Sequence, residues 1–318
     1  MLLTYILFVV GFVVLILGAN WLVNGSVSLG LRANLSPLVI GLTVVAFGTS
    51  LPELVINVFA SFKGSSDLAI GNVLGSNIMN IFLILGISAL LMPIHVERIS
   101  MQRDIPVGLF ATLLFGLVAN GYFMGFELVI NRFDGFVLLA VFGVYLWFTL
   151  KKRNGMEPDL DVENKQPASW PKTILLILIG LAGLFFGGEW VSDGALEVAK
   201  ALGISETAVG LTIVAAATSL PELVTAIVAA MKKNIGIVMG NVLGSNIINI
   251  LVVLGTSAII NPLIYQTKLN VELGMVIAAN LALVVLIYLG KGFRLSRYEG
   301  ISLILIYIVF IWFSINYN

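Results

Sequence analysis

The sequence contains an internal repeat that covers much of both halves of the chain. When residues 18–86 are aligned with residues 187–255, a shift of 169 positions without gaps, 30 of the 69 pairs are identical. Two blocks hold most of the identities, with 12 of 15 and 10 of 11 positions matching: residues 41–55 against 210–224, and residues 71–81 against 240–250. The two halves are therefore expected to share one local fold, and their relative orientation decides the architecture.

The amino-acid composition indicates whether the chain folds in water or in a lipid bilayer. Of the 318 residues, 59% are hydrophobic and 11% are charged, and the mean hydropathy is +1.06. Soluble domains carry about 25% charged residues, so a soluble enzyme is excluded. Apolar runs long enough to cross a bilayer predict an all-α polytopic membrane protein with ten transmembrane helices. They lie at residues 3–26, 37–61, 67–92, 104–125, 133–150, 172–196, 206–230, 235–261, 270–290 and 298–316.

One long polar stretch, residues 151–171, divides the predicted helices into two groups of five. It is expected to connect a first half, residues 1–150, to a second half, residues 172–318. Because five is an odd number, the second half enters the membrane from the opposite side to the first. The sequence therefore predicts two inverted five-helix repeats, an arrangement found in many secondary transporters, whose substrate site lies where the repeats meet.

Basic residues predict the orientation of these helices. If the N-terminus faces outside, 13 of the 17 Lys and Arg residues fall in cytoplasmic loops, as the positive-inside rule requires. Both termini are then expected outside, with the linker in the cytoplasm. The first segment has no basic n-region or small-residue cleavage site, so it is expected to be a retained helix.

Several functional classes are excluded by what the chain contains. Its 17 basic and 17 acidic residues cancel, which argues against a nucleic-acid partner. It has no cysteine and a single histidine, His95, in a predicted loop, so thiolate or histidine metal sites and triads are not expected. No P-loop motif is present, which disfavours an ATP-driven pump. We expect no enzymatic activity and no prosthetic group.

Two glutamates lie near the middle of predicted helices, at matching positions of the first repeated block. Glu53 and Glu222 follow the segments G-T-S-L-P and A-T-S-L-P. A carboxylate at the bilayer centre costs at least about 2.5–3.5 kcal/mol, and no Lys, Arg or His lies at comparable depth. A cation or a proton is therefore the expected counter-charge. The simpler alternative is a protonated carboxyl that hydrogen-bonds neighbouring helices, but its occurrence twice in the same setting disfavours it.

The proline before each glutamate predicts a helix break. Pro52 and Pro221 lack an N–H, and their rings clash with the carbonyl four residues earlier. Irregular backbone at membrane depth is tolerated where it lines a cavity or is buried in protein. Freed carbonyls, hydroxyls and a carboxylate form an all-oxygen ligand set of the kind that suits calcium or sodium.

The second repeated block adds polar residues on a neighbouring helix. Ser76 and Asn80 are four residues apart and share a helix face, and Ser245 and Asn249 repeat the pattern. They are candidates to complete an oxygen cage, with helix packing as the alternative. For Asn72, Asn77, Asn241 and Asn246, structural roles are favoured over ligand roles.

The paired motifs G/A-T-S-L-P-E and G-S-N-I-x-N resemble the two α-repeats of the cation/calcium antiporter superfamily, over nearly the whole chain. The sequence is most similar to prokaryotic sodium/calcium exchangers. The resemblance implies a cation site at Ala46, Thr49, Ser50, Glu53, Ser76, Asn80, Ala215, Thr218, Ser219, Glu222, Ser245 and Asn249. One departure is Ala217, where the first copy has Gly48, and its extra methyl group is expected to make the two half-sites inequivalent.

The implied function is antiport of sodium against calcium by alternating access, with both ions as transported substrates. The resemblance implies three sodium ions per calcium, hence electrogenic exchange. Potassium-dependent relatives carry Asp at the position of Asn249, so potassium independence is expected. A proton/calcium exchanger on the same fold is the main alternative, with protons as a partner, and a cation channel is less favoured.

Three further expectations concern the rest of the molecule. Asn20 and Asn24, with the matching Glu189 and Asp193, are candidates for a sliding gate, although interfacial positions are the simpler interpretation for the two acids. The linker acids are expected to be solvated and not to form a regulatory calcium site: Glu157, Asp159, Asp161 and Glu163. The setting is expected to be the plasma membrane, and the sequence is consistent with a monomer.

Overall fold

A computed structural model describes residues 2–121, 128–151, 166–201, 215–289 and 293–317. These residues are predominantly helical. We number the helices of the described residues in chain order: α1 Leu2–Ala33, α2 Pro37–Ile40, α3 Ala46–Thr49, α4 Leu51–Phe62, α5 Ser66–Met79, α6 Leu85–Leu91, α7 Ile105–Ala119, α8 Arg132–Lys151, α9 Trp170–Ala201, α10 Ala215–Thr218, α11 Leu220–Met231, α12 Ile235–Ile248, α13 Leu254–Ile260, α14 Asn270–Leu289 and α15 Arg297–Tyr317.

Short non-α turns join some of these helices into longer rods. A 3-10 turn, Thr267–Leu269, precedes α14. Single π-helical turns link α2 to α3, α5 to α6 and α12 to α13, and a fourth leads into α7: Gly41–Val45, Asn80–Ile84, Asn249–Val253 and Ser100–Asp104. Each inserts one extra residue per turn, which rotates the side chains that follow it.

Two short antiparallel strand pairs tie loops of the first half to loops of the second. The strands are β1 Ile94–His95, β2 Val129–Ile130, β3 Leu263–Ile264 and β4 Arg294–Leu295. Strand β1 pairs with β4, and β2 pairs with β3. In these pairs Ile94 lies opposite Leu295, and Ile130 lies opposite Leu263.

The described helices agree closely with the predicted membrane spans. Eight are long and apolar enough to cross a bilayer, and Pro37–Thr49 with Leu51–Phe62, bent by 45°, counts as a ninth. The span predicted at residues 37–61 is this bent pair. The protein is therefore a multi-pass membrane protein.

Two predictions fall partly outside these ranges. Of the span predicted at residues 206–230, only α10 and α11 are described. The predicted linker begins where α8 ends, at Lys151, and α9 starts at Trp170. Residues 152–165, with the four linker acids, lie outside the described residues.

The helices of the second repeated block occupy the centre of the molecule. Every residue in the most apolar stretch of Ile235–Ile260 is buried, as is 78% of that in Ser66–Leu91, against 11% for Arg297–Ser314. Small residues permit this packing. A Cβ atom placed on Gly240 would lie 2.5 Å from Leu38 O and 2.6 Å from Leu42 N, so α12 contacts the backbone around α2 directly.

We predict that Gly240→Ala lowers the free energy of unfolding by about 1–3 kcal/mol, because the added methyl group forces two helix backbones apart. Thermal unfolding of the detergent-solubilised protein measures the change. The matched control is Gly143→Ala in α8, since no described atom lies within 4 Å of a Cβ placed there. Alanine favours a helix over glycine by up to about 1 kcal/mol, so the control should be neutral or slightly stabilising. Equal melting temperatures for the two variants would contradict the prediction.

Candidate cation site

Each half of the described chain has a helix break at the serine of the repeated T-S-L-P-E segment. Ser50 has φ −84° and ψ 6°, and Ser219 has φ −90° and ψ 6°. Helices α4 and α11 begin at the next residue, with Pro52 and Pro221 at their second position. The prediction of a break beside each proline is confirmed, and the break falls two residues before it.

The breaks place Glu53 and Glu222 in the first turns of α4 and α11. Both side chains are fully buried, with 0% exposure. The N-terminus of a helix carries a partial positive charge, which stabilises a nearby carboxylate. Neither glutamate forms a salt bridge within the described residues, where the ion pairs are Arg103–Asp104 and Lys268–Asp67.

The two halves contact each other crosswise through these residues. The Ser219 hydroxyl donates a hydrogen bond to Glu53 Oε1 over 3.2 Å, and the Ser50 hydroxyl donates to Glu222 Oε1 over 3.0 Å. Each carboxyl group is therefore held by the serine of the opposite repeat. This arrangement joins the two copies of the motif into one site.

The polar residues of the second block surround this pair. The Ser245 and Ser50 hydroxyl oxygens are 3.0 Å apart, and Ser245 also donates to Glu222 Oε1 over 3.4 Å. Thr49 Oγ1 donates to Asn241 Oδ1 over 3.0 Å. At the equivalent position of the other half, Thr218 Oγ1 donates to Asn72 Oδ1 over 3.3 Å. Of the twelve predicted positions, eight thus lie on α3, α4, α10, α11 or the breaks between them. The other four lie on the rods formed by α5 with α6 and by α12 with α13.

Five buried oxygens of the predicted residues have no hydrogen-bond donor among the described residues. They are Glu53 Oε2, Glu222 Oε2, Ser76 Oγ, Asn80 Oδ1 and Asn249 Oδ1. A buried polar atom without a partner costs about 1–3 kcal/mol. Carboxylate, amide and hydroxyl oxygens are the ligands that calcium prefers in proteins, so a cation is a chemically suitable partner for the set.

Hydrogen bonds between the central rods orient the two asparagine oxygens. Asn80 Nδ2 donates to Asn246 Oδ1 over 2.9 Å, and Asn249 Nδ2 donates to Asn77 Oδ1 over 3.3 Å. The amide nitrogens of Asn80 and Asn249 are thus hydrogen-bonded, whereas their side-chain oxygens have no hydrogen-bond partner among the described residues. Asn77 and Asn246 also exchange hydrogen bonds with each other's backbone carbonyl, over 3.2 and 3.4 Å.

The remaining predicted residues have more modest surroundings. Ala46 is buried, and its carbonyl oxygen accepts hydrogen bonds from Ser50 N and Thr49 Oγ1, over 3.0 and 3.3 Å. Ala215 is the first residue of α10. Glu189 and Asp193 are exposed on α9.

Two features of the site were missed by sequence reasoning. The π-helical turns begin at Asn80 and Asn249, and such turns frequently occur at functional sites. The asparagine bridge between the rods joins opposite repeats. The asparagine bridge could have been anticipated, because Asn77 and Asn246 occupy the same position in the two repeats. The flanking I-x-N sequence contains nothing that predicts the π-helical turns.

The two breaks differ in their packing. A Cβ atom placed on Gly48 would lie 2.3 Å from Leu181 Cδ2, so α9 closely approaches the first break. At the equivalent position of the second break, Ala217 carries its methyl group at 7% exposure. A methyl group at position 48 would therefore displace the end of the Leu181 side chain on α9.

Comparison with known proteins agrees with this fold. The family model described as sodium/calcium exchanger protein matches residues 3–151 and 172–316, and the chain belongs to this family. It is 37% identical over 317 residues to the putative antiporter CaxA of Alkalimonas amylolytica, covering 97% of each chain. It is 31% identical to the sodium/calcium exchanger MaX1 of Methanosarcina acetivorans, covering 96% of this chain and 97% of the relative. The solved structure of the sodium-calcium exchanger NCX_Mj superposes with a TM-score of 0.83 at 34% identity, covering 97% of both chains.

We predict that Asn246→Ala lowers the free energy of unfolding by about 1–3 kcal/mol, because it leaves the Asn80 amide nitrogen unpaired in the core. Calcium should also stabilise this variant less than the original protein, since the Asn80 oxygen is no longer oriented. Thermal unfolding with and without calcium measures both effects. The control is Asn120→Ala, which removes an exposed amide pair with Asn270. An Asn246→Ala variant that behaves like this control would contradict the assigned role of the bridge.

Proposed function

We propose that this protein exchanges sodium for calcium across the membrane by alternating access. The observation that carries the proposal is the pair of fully buried glutamates, each held by the serine of the opposite repeat. One oxygen of each glutamate and three further buried oxygens of the predicted residues have no hydrogen-bond partner among the described residues. The cation is bound between the two inverted halves. Its ligands are Glu53 and Glu222, with Thr49, Ser50, Ser76, Asn80, Thr218, Ser219, Ser245 and Asn249, and the carbonyls of Ala46 and Ala215.

The charge of the site explains the coupling of the two ions. One calcium ion neutralises both carboxylates, and several sodium ions replace it through the same oxygens. The ion-free site holds two uncompensated charges in a medium of low polarity, which is a high-energy state. The unloaded carrier therefore changes conformation rarely, so calcium moves one way only when sodium moves the other way.

The independence from potassium is argued from the same two charges, whereas the ratio of three sodium ions per calcium is the one that the family resemblance implies. The neutral amide of Asn249 leaves the site with two carboxylates, which supports exchange that does not require potassium. Three sodium ions per calcium carry one net charge across the membrane per cycle. The membrane potential then contributes about 2.3 kcal/mol per 100 mV to each cycle.

The relatives support this assignment. MaX1 is named a sodium/calcium exchanger, and NCX_Mj is described as undergoing extracellular ion exchange and induced binding-site occlusion with sodium and strontium or calcium. For the present chain we place the exchange at the plasma membrane, with both termini outside and residues 151–171 in the cytoplasm.

A proton/calcium exchanger is the second candidate. The same observation favours it, because two buried carboxyl groups can be neutralised by protons as well as by sodium. The two candidates differ in the gradient that drives calcium uptake.

We predict that proteoliposomes loaded with sodium accumulate calcium when diluted into sodium-free buffer at equal pH on both sides. Uptake should be unaffected by potassium and should increase when the vesicle interior is made positive, because three sodium ions leave for each calcium that enters and one net positive charge moves outward in each cycle. Radioactive calcium measures the flux. Uptake that ignores sodium and follows an imposed pH gradient would instead establish the proton-coupled alternative.

We predict that Glu53→Gln and Glu222→Gln each reduce this exchange at least tenfold without loss of the folded protein, because the site can then no longer neutralise a divalent cation with two carboxylates. The matched control is Asp67→Asn, an exposed acid whose carboxylate pairs with Lys268 away from the site. The control should exchange at the original rate. Unchanged exchange in either glutamine variant would remove that glutamate from the proposed site.

A further inference from the structure

The turns that follow α4 and α11 have the same backbone conformation. Lys63 has φ −83° and ψ −4°, and Lys232 has φ −86° and ψ 4°. The next residue has positive φ in both turns, 71° at Gly64 and 60° at Lys233. The shift of 169 that relates the repeats carries position 63 onto position 232. The two lysine side chains therefore leave equivalent points of the two halves.

The candidate gate helices are α1, which carries Asn20 and Asn24, and α9, which carries Glu189 and Asp193. Within the described residues, Lys232 contacts its candidate gate helix, and Lys63 does not. Lys232 Nζ donates to Asn24 Oδ1 over 2.7 Å and to the Asn20 carbonyl oxygen over 3.3 Å. Asn20 and Asn24 lie one turn apart on α1, which also packs along α11. Lys232 thus links α1 to the C-terminal end of α11 through these hydrogen bonds.

The equivalent contact, between Lys63 of the first half and α9 of the second half, is not formed among the described residues. The same shift carries Asn20 onto Glu189 and Asn24 onto Asp193, both on α9. Lys63, Glu189 and Asp193 are exposed, and none of them forms an ion pair with a described residue. Helix α9 also lacks, among the described residues, the extended packing on α4 that α1 has on α11.

We propose that Lys232 and Lys63 act alternately as latches in the transport cycle. A latch here is a lysine that holds a candidate gate helix in place in one state and releases it in the other. In the structure Lys232 holds α1 on α11, and in the opposite state Lys63 holds α9 on α4 by binding Asp193 and the Glu189 backbone or carboxylate. The inference rests on the proposed alternating access, because inverted repeats exchange conformations as the site opens to one side and then to the other. A contact that one half makes with the other in one state is then made by the equivalent pair of residues, with the halves exchanged, in the other state.

The two latches differ in charge. Lys232 binds an amide and a carbonyl oxygen, which are neutral, whereas Lys63 would bind carboxylates. A charge-assisted hydrogen bond is stronger than a neutral one, and an exposed ion pair is weakened by salt. The contact of Lys63 with α9 is therefore expected to be more salt-sensitive than the contact of Lys232 with α1.

Cysteine cross-linking tests the latches, because the natural chain contains no cysteine. One variant carries Asn24→Cys with Lys232→Cys, and another carries Lys63→Cys with Asp193→Cys. Both are treated with a bifunctional thiol reagent about as long as a lysine side chain, in sodium, in calcium and without either ion. A third variant, Asp67→Cys with Lys268→Cys, spans an exposed ion pair of 3.2 Å and should cross-link equally under all conditions.

The latches predict that conditions which raise cross-linking of the first pair severalfold lower that of the second. In a variant with all four latch cysteines, linking positions 24 and 232 should abolish linking of positions 63 and 193. Either link should stop exchange, and cleavage of the link should restore it. Failure of positions 63 and 193 to link in any condition, or formation of both links in one molecule, would overturn the proposal.

Charge exchange separates a latch from a general structural role. Asp193→Lys should slow exchange severalfold by repelling Lys63, and adding Lys63→Asp should restore the rate and its sensitivity to salt. Absence of rescue in a folded double variant counts against the latch. These results are distinguishable from failure of the proposed function. If sodium does not drive calcium uptake in the original protein yet the two links alternate, the antiport assignment is wrong and the latch stands.

Discussion

The structure depends on one electrostatic constraint, the burial of two carboxyl groups without a basic partner in the described part of the chain. Neither Glu53 nor Glu222 is exposed to solvent, and apolar helices surround them. Such a pair is stable only when hydrogen-bond donors, helix N-termini and a bound positive charge offset the cost of desolvation. The helix breaks supply the first two, by placing each glutamate in the first turn of a helix and within reach of a serine.

The internal repeat places each buried glutamate in the same local setting and brings the two settings together. Each serine contacts the glutamate of the other half, so neither half completes its own site. The same symmetry makes the differences between the halves informative. Gly48 accommodates the close approach of α9, whereas Ala217 occupies the matching position. Lys232 is bound to α1, whereas Lys63 forms no ion pair with α9 among the described residues. The difference between the two lysines is the one expected under the proposed alternating access, in which the two halves occupy different stages of one motion.

Much of this architecture could be predicted because its causes are local. Apolar runs located the described spans to within a few residues, and Pro52 and Pro221 located the breaks. The repeat identified the polar residues that meet at the centre. The crosswise pairing of serine with glutamate and the bridge between Asn77 and Asn246 could not be predicted, because they depend on contacts between distant segments. The π-helical turns at Asn80 and Asn249 reflect the packing of whole rods, which leaves little trace in the local sequence.

The central claim is that the two glutamates together bind the transported cation. Isothermal titration of the purified protein with calcium, repeated at increasing sodium concentration, tests it most directly. The account predicts one calcium ion bound per chain, an apparent affinity that falls steeply with sodium because several sodium ions compete for the same oxygens, and no binding after replacement of both glutamates by glutamine. Calcium binding that is insensitive to sodium, or that persists in the doubly substituted protein, would contradict the account.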